Sequence, residues 1–411
     1  MQGEYQNHDL LLRFENMLQT NEPVFFDLDE FLDIIDDYIS LGNFNMAQKA
    51  IDIALGQYPE NLDILLYQAE LLSLNDQLEK AENLLNHLRQ IAPDRLEVPM
   101  LEAEIYSRKH MHLKAINALA KALKIPDADK AEIYELMTVE YLYLEDYKSA
   151  LDASLFALKH DPESSMALYN AITCFDLLDQ SEKAIHFLET HVAQNPFSEV
   201  GWSLLGKKYI DKKAYKKALE ALDYAIAIDD KFLGAYYDKA FAHTKLREYD
   251  KALEFYFLTL RIADPTAFTY YHIARIYEEM KDYERAIDNY LNAIHEDPGH
   301  YKSWINLVQI KLSLQDIDGA LELNKQALDI VNNQELYELL SQIYLLKDNL
   351  KEAIVALEKS LKFGEYKLPI ILQLADLYKQ NQDIEKFRQV LLEAKKQFPD
   401  SKEIQKRMLG Q

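Results

Sequence analysis

Residues 202–225 read WSLLGKKYIDKKAYKKALEALDYA, and the reading of this stretch decides the fold. Trp202, Leu205, Gly206 and Tyr209 are spaced by three and four residues, as are Tyr215, Ala218, Leu222 and Ala225. Each set is the single apolar stripe of one amphipathic helix. Asp211-Lys212-Lys213 is a tight connection between the two helices, and Asp229-Asp230 follows the second. Alanine at position 218 and glycine at 206 let two backbones approach closely, while the large rings beside them fill the remaining space.

Working outward from Ala218, the pattern recurs along nearly the whole chain. Ala47, Ala81, Ala115, Ala150, Ala184, Ala218, Ala252, Ala286, Ala320, Ala353 and Phe387 follow one another at steps of 33 to 35 residues, most of them 34. Nine residues before them stand Tyr38, Leu72, Tyr106, Tyr141, Phe175, Tyr209, His243, Tyr277, Lys311, Tyr344 and Tyr378. Seven residues after them stand mostly Ala, with Leu88, His191, Thr259 and Ser360. Sixteen before, the column is large and broken by Pro99. Asp/Asn-Pro-type breaks at Pro59, Pro93, Pro162, Pro196, Pro265, Pro298 and Pro399 end most units. A fixed period of this length marks a stacked repeat array.

Composition agrees. Gly and Pro number 10 and 11 of 411 residues, about 5% against the ~12% of average usage, too few for a many-stranded β protein or a glycine-rich nucleotide fold. The formal net charge is −24 and is unevenly spread. The first 200 residues hold 14 basic and 36 acidic side chains, the remaining 211 hold 31 and 33. Such a surface repels phosphate backbones, so nucleic acid is not expected as a partner. One cysteine, Cys174, excludes an intrachain disulfide and a cysteine metal cage. No basic-then-apolar leader and no apolar run of about 18 residues occurs, so neither a signal peptide nor membrane insertion is expected, and the reading is a cytoplasmic protein.

Trp202-x2-Leu205-Gly206-x2-Tyr209…Ala218…Leu222…Ala225 resembles the tetratricopeptide repeat (TPR) pattern, as does Tyr270-x3-Ala274-x2-Tyr277…Ala286…Tyr290…Ala293…Pro298. The resemblance implies an all-α, right-handed superhelical solenoid of helix-turn-helix repeats with a concave groove lined by the first helix of each pair. It divides the chain into a capping helix in residues 1–27, an eleven-repeat array over 28–400 and a second cap in 401–411, about 24 helices in all. Caps of this kind keep the ends of a stack soluble.

The resemblance also places the inward-facing positions, at 18, 15, 14, 11, 8 and 7 residues before each alanine. In repeats 1–4 these hold Asp29, Asp33, Asp36, Asp63, Glu70, Glu97, Glu104, Glu132 and Glu135. In repeats 5–9 they hold Tyr169, Asn170, Thr173, Lys207, Tyr237, Phe241, Lys245, Phe268, Tyr271, Arg275, Lys302 and Asn306. The groove is therefore expected to be acidic at the front and aromatic with scattered cations in the middle. One TPR subclass grips a C-terminal carboxylate with paired Lys and Asn side chains. Asn170, Lys207 and Arg275 match that set only in part.

Nothing in the sequence points to catalysis. There is no phosphate loop, no nucleophile elbow and no His-Glu-x-x-His. His110 and His112 lie in an inter-helix turn with no third ligand supplied by the repeat. Cys174 neighbours a core column. Lys207, Lys208, Lys212, Lys213, Lys216 and Lys217 cluster as a solvated edge or an anion site, with Lys207 alone facing the groove by register. The expected function is a non-catalytic scaffold or adaptor, without cofactor or metal, that holds protein or peptide segments in its groove. A peptide-sensing or chaperone-like assembly factor of an envelope or secretion complex is the alternative.

Overall fold

The computed structural model describes residues 2–20 and 22–409, with residues 2–8 described by backbone course alone. Among the described residues there are 24 helices, from Gln2–Thr20 to Lys402–Met408, and no strand. The chain is an all-α repeat solenoid. Eleven helix pairs carry the eleven repeat registers, beginning with Leu28–Ser40 and Phe44–Gln57 and ending with Leu368–Gln380 and Ile384–Gln397. Contacts divide it into two compact units, Met1–Lys208 and Tyr209–Gln411, the division falling inside the helix Glu199–Asp211.

The alanine column is the crossing point of each pair. All ten alanines are fully buried, and Phe387 in the eleventh position is nearly so. The column seven residues later is buried throughout, whether it holds Ala54, His191, Thr259 or Ser360. Backbones pack closely where these small side chains stand, and rings nine residues before the alanine, such as Tyr38, Phe175 and Tyr277, close the space beside them. The two polar departures in that ring column are neutralised locally. His243 Nδ1 lies 2.8 Å from Glu248, and Lys311 donates to Asp316 at 2.9 Å.

Each pair turns through one residue in the left-handed region, always five before the alanine: Gly42, Asp76, His110, Glu145, Asp179, Lys213, Arg247, Lys281, Gln315, Asp348 and Gln382. Its N–H bonds three residues back and the next N–H bonds five back, as in Asp76 N to Ser73 O at 3.0 Å and Gln77 N to Leu72 O at 2.8 Å. This paired closure satisfies the last carbonyls of the first helix. Only the first turn uses glycine; the others accept the steric cost of a side chain there.

The N-terminal cap seats Leu10 and Phe14 against Phe26, Phe31 and Tyr38, with the Phe14 and Phe26 rings 5.9 Å apart and near perpendicular. At the other end Ile404 of the short helix Lys402–Met408 is fully buried among Leu391 and Ala394, and Arg407 grips Asp376 with two nitrogens at 2.9 and 2.8 Å.

Candidate functional site

In the unit Met1–Lys208, four successive first helices, Leu28–Ser40, Leu62–Leu74, Glu97–Arg108 and Lys130–Tyr143, build a cleft of about 610 Å³. Asp63, Glu97 and Glu132, each 18 residues before its alanine, form one acidic row along it. Asp36, Glu70 and Glu104, each 11 before, form a second. Between the rows lies a floor of Leu66, Tyr67, Met100, Leu101 and Leu136. The floor occupies the columns 15 and 14 before the alanine, so one helix places both walls and the strip between them.

The walls are only partly neutralised. Arg95, from the loop before Glu97–Arg108, lies 2.7 Å from Asp63 and 2.9 Å from Glu97, and its hydrogen bond holds the Glu97 carboxyl below the usual range. Glu104 takes Arg108 at 3.0 Å and the Ser73 hydroxyl at 3.0 Å. Tyr67 donates its hydroxyl to Asp36 at 3.2 Å. Glu70 faces no cation among the described residues. Burial first, then Glu104 and Asp36, raise its pKa. Burial followed by Asp37, Asp29 and Asp36 raises that of Asp33, which with Asp29 stands exposed beside the cleft rather than in it. Glu135 accepts from the Ser164 hydroxyl, tying it to the next first helix.

The same face continues as an apolar strip. Leu136, Val139, Tyr143 and Met166 occupy inward registers, and Tyr143 and Met166 are 66% and 60% exposed. Sequence reasoning passed over these because apolar residues at helical spacing read as core; only the register distinguishes them. Tyr169 is partly exposed, the Thr173 hydroxyl donates to the Tyr169 carbonyl at 2.9 Å, and the half-buried Asn170 leaves its amide nitrogen without a partner. Lys207 is exposed, whereas Lys208 is buried with its ammonium on both Asp176 oxygens at 2.7 and 2.6 Å.

In the unit Tyr209–Gln411 the equivalent registers close in on themselves. Tyr237 and Tyr271 are half-buried and pack on the core that holds Tyr256 and Tyr290. The Tyr237 hydroxyl meets Thr269 at 2.8 Å. His272 lies between Tyr256, stacked at 5.6 Å, and Phe268 at 4.3 Å, and burial lowers its pKa to about 4, helped by Arg275 and His300. Asn306, expected on the groove, is 7% exposed and donates to the Tyr290 hydroxyl at 2.8 Å, which in turn donates to Glu278 at 2.6 Å. The reason lies on the second helix. Four residues after the alanine stand Ile51, Leu85 and Leu119 in repeats 1–3 but Tyr256 and Tyr290 in repeats 7 and 8, long enough to reach under the first helices. Phe268 keeps 51% of its surface exposed. Phe241 is half-buried with Lys245 4.9 Å over its ring, and Arg275 and Lys302 are exposed.

One histidine reading changes. His112 Nδ1 lies 2.7 Å from buried Glu140, a carboxylate that the sequence spacing did not reveal, and its ring stacks on Tyr143 at 4.9 Å. No group of three or more possible metal ligands occurs among the described residues. Cys174 is buried, and burial pushes its thiol up to about 11, far from a nucleophile's range. No helix among the described residues is long and apolar enough to cross a membrane.

Helix pairs stacked on a 34-residue period define an α-helical repeat solenoid, a fold consistent with protein–protein interaction. Tetratricopeptide repeat models match residues 38–105 and 277–343, and a further one matches 334–363. These matches, with the fold, support a tetratricopeptide repeat protein, and tetratricopeptide repeat proteins bind protein partners. Among human proteins it is similar to Protein O-mannosyl-transferase TMTC1, 26% identical over 136 residues, covering 32% of this chain and 15% of that protein. It is also similar to Protein O-mannosyl-transferase TMTC3, 24% identical over 192 residues, covering 46% and 21%. The chain thus spans about a fifth or less of those relatives. Yeast Tom70 resembles it in structure with a TM-score of 0.44 at 15% identity, over 92% of this chain and 93% of that one.

Proposed function

We propose that the protein is a scaffold or adaptor that holds segments of partner proteins on the first-helix face of its repeats, and that the cleft of repeats 1–4 is its principal binding surface. The observation that carries this reading is a concavity of about 610 Å³ with a continuous apolar floor between charged walls. That volume lies within the ~300–1,000 Å³ of ligand-sized sites, and apolar surface left open beside it in Val139, Tyr143 and Met166 marks interaction rather than packing. The walls disfavour nucleic acid. In the second unit, exposed Phe268 with Lys245, Arg275 and Lys302 offers a smaller surface of opposite sign for an acidic segment. The buried lone thiol requires no oxidising compartment, which suits the cytoplasm.

The reading is tested by random-peptide display on the immobilised full chain, counter-screened on Met100→Trp and Leu136→Trp, each checked for an unchanged helical spectrum. Peptides retained by the native chain and lost by the filled-cleft variants support it. Peptides retained equally by all three place the binding surface elsewhere.

A further inference from the structure

Given that reading of the cleft, its geometry specifies the occupant. Within the two middle first helices, Leu62–Leu74 and Glu97–Arg108, the two acidic walls stand 18 and 11 residues before the alanine, seven residues apart, or about 10.5 Å along the helix axis at 1.5 Å per residue. An α-helix with its side chains is about 10–12 Å across. A helix laid across the four first helices therefore sits on the apolar floor with one shoulder against each wall. An extended chain sends alternate side chains to opposite faces, which leaves half of them off the floor and engages the walls unevenly.

The charge balance fixes the rest. Among the described residues, the six wall carboxylates are met at the rim by Arg95 alone, with Arg108 behind Glu104. Glu70 is held half-buried against Glu104 and Asp36 with no cation, so its charged form is relieved by a cation arriving from outside. Packed helix axes lie about 8–10 Å apart, close to the ~10.5 Å between residues seven apart in a helix. We infer that the cleft binds a cationic amphipathic helix: an apolar stripe flanked on both shoulders by Lys or Arg recurring about every seven residues, over some 14–20 residues. The apolar stripe excludes a bare polybasic tail, and the paired shoulders exclude a helix that is basic on one side only.

The probe is a synthetic 18-residue Leu/Ala/Lys peptide in this pattern, compared with two of its own isomers. One is scrambled to destroy the stripe, and the other has all lysines gathered on one shoulder. Fluorescence anisotropy measures binding to the full-length protein, and circular dichroism measures helix gained on binding. The patterned peptide is expected to bind at least tenfold more tightly than either isomer, to become helical on binding, to weaken as salt rises, and to lose at least tenfold on a Glu70→Gln/Glu104→Gln/Glu132→Gln protein. Equal binding of all three peptides, or binding without helix gain, overturns the helical occupant while leaving the adaptor reading in place. So does a display selection whose cleft-dependent binders are acidic, neutral or proline-containing. A selection that yields no cleft-dependent binder overturns the cleft as the binding surface, and this proposal with it.

Discussion

The first-helix face of repeats 1–4 and that of repeats 7–9 occupy the same registers on the same scaffold, yet one is open and the other is filled. In the first, the residue four after the alanine is Ile51, Leu85 or Leu119 in repeats 1–3 and Ser154 in repeat 4, all buried inside the pair, and the inward positions are left as two acidic walls over an apolar floor. In the second, Tyr256 and Tyr290 take that position and draw His272, Asn306 and Glu278 down onto themselves. A core residue of the second helix thus decides what the groove side of the first helix is free to do. The comparison teaches that inward register is necessary for a binding position but is overruled when a neighbouring core side chain offers a partner.

Four measurements break or sharpen that comparison. The largest effect is expected in the open unit, where Leu85 is an ordinary apolar plug: Leu85→Ala should lose about 2–5 kcal/mol by denaturant unfolding. A loss below 1 kcal/mol would mean that the column carries no packing there. In the filled unit, Tyr290→Phe keeps the ring but strands Asn306 and Glu278, and should cost about 1–3 kcal/mol. A neutral result would mean that the chain of bonds through Tyr290 does not hold the face closed.

The third measurement uses pH, since the two units carry shifts of opposite consequence. Burial holds His272 near 4, below the ~6.5 of an unfolded histidine. Its neutral form therefore stabilises the fold above about 6.5, and that stability is lost as pH falls towards 4, about 1 kcal/mol by pH 6. For Glu70 and Asp33 folding raises the pKa, so their contribution is present below the unfolded carboxylate value and is lost as pH rises through the folded one. The two tryptophans fall one in each unit, Trp202 and Trp304, each anchored through its ring nitrogen to a carbonyl six residues back. Melting followed by Trp304 should weaken from pH 7 to 6, and His272→Gln should flatten that slope. Glu70→Gln should change the Trp202-reported slope in the opposite sense. Slopes untouched by both substitutions would contradict the assignment. The smallest effect concerns the turns common to both units. Arg247→Gly, at φ 60°, should stabilise by about 0.5–1 kcal/mol, because glycine takes the left-handed region without steric cost. Destabilisation would show that the Arg247 side chain makes a stabilising contact of its own.

The fold was fully legible in the sequence because each repeat needs the same small residue at the same crossing, and eleven copies fix the register. Most of the acidic wall was legible for the same reason: Asp36, Asp63, Glu70, Glu97 and Glu104 stand in the cleft where the register put them. The floor was not. Leu66, Met100 and Leu136 stand in inward registers but have the apolar spacing of core residues, and the geometry shows them lining the space between the walls. Nor was the burial of Asn306, which depends on a tyrosine in a column that is usually aliphatic. The His112–Glu140 contact joins residues 28 apart in different columns, and no single-repeat pattern announces such a pair.

The most direct test of the central claim is to place a photo-reactive side chain in the middle of the apolar stripe of the patterned cationic helix and to map where it attaches on the full-length protein. Attachment at Met100, Leu101 or Leu136, abolished by Glu70→Gln/Glu104→Gln/Glu132→Gln, is the predicted result. Attachment around Phe268 on the helix Ala267–Glu279, or spread along the chain without preference, would contradict the account.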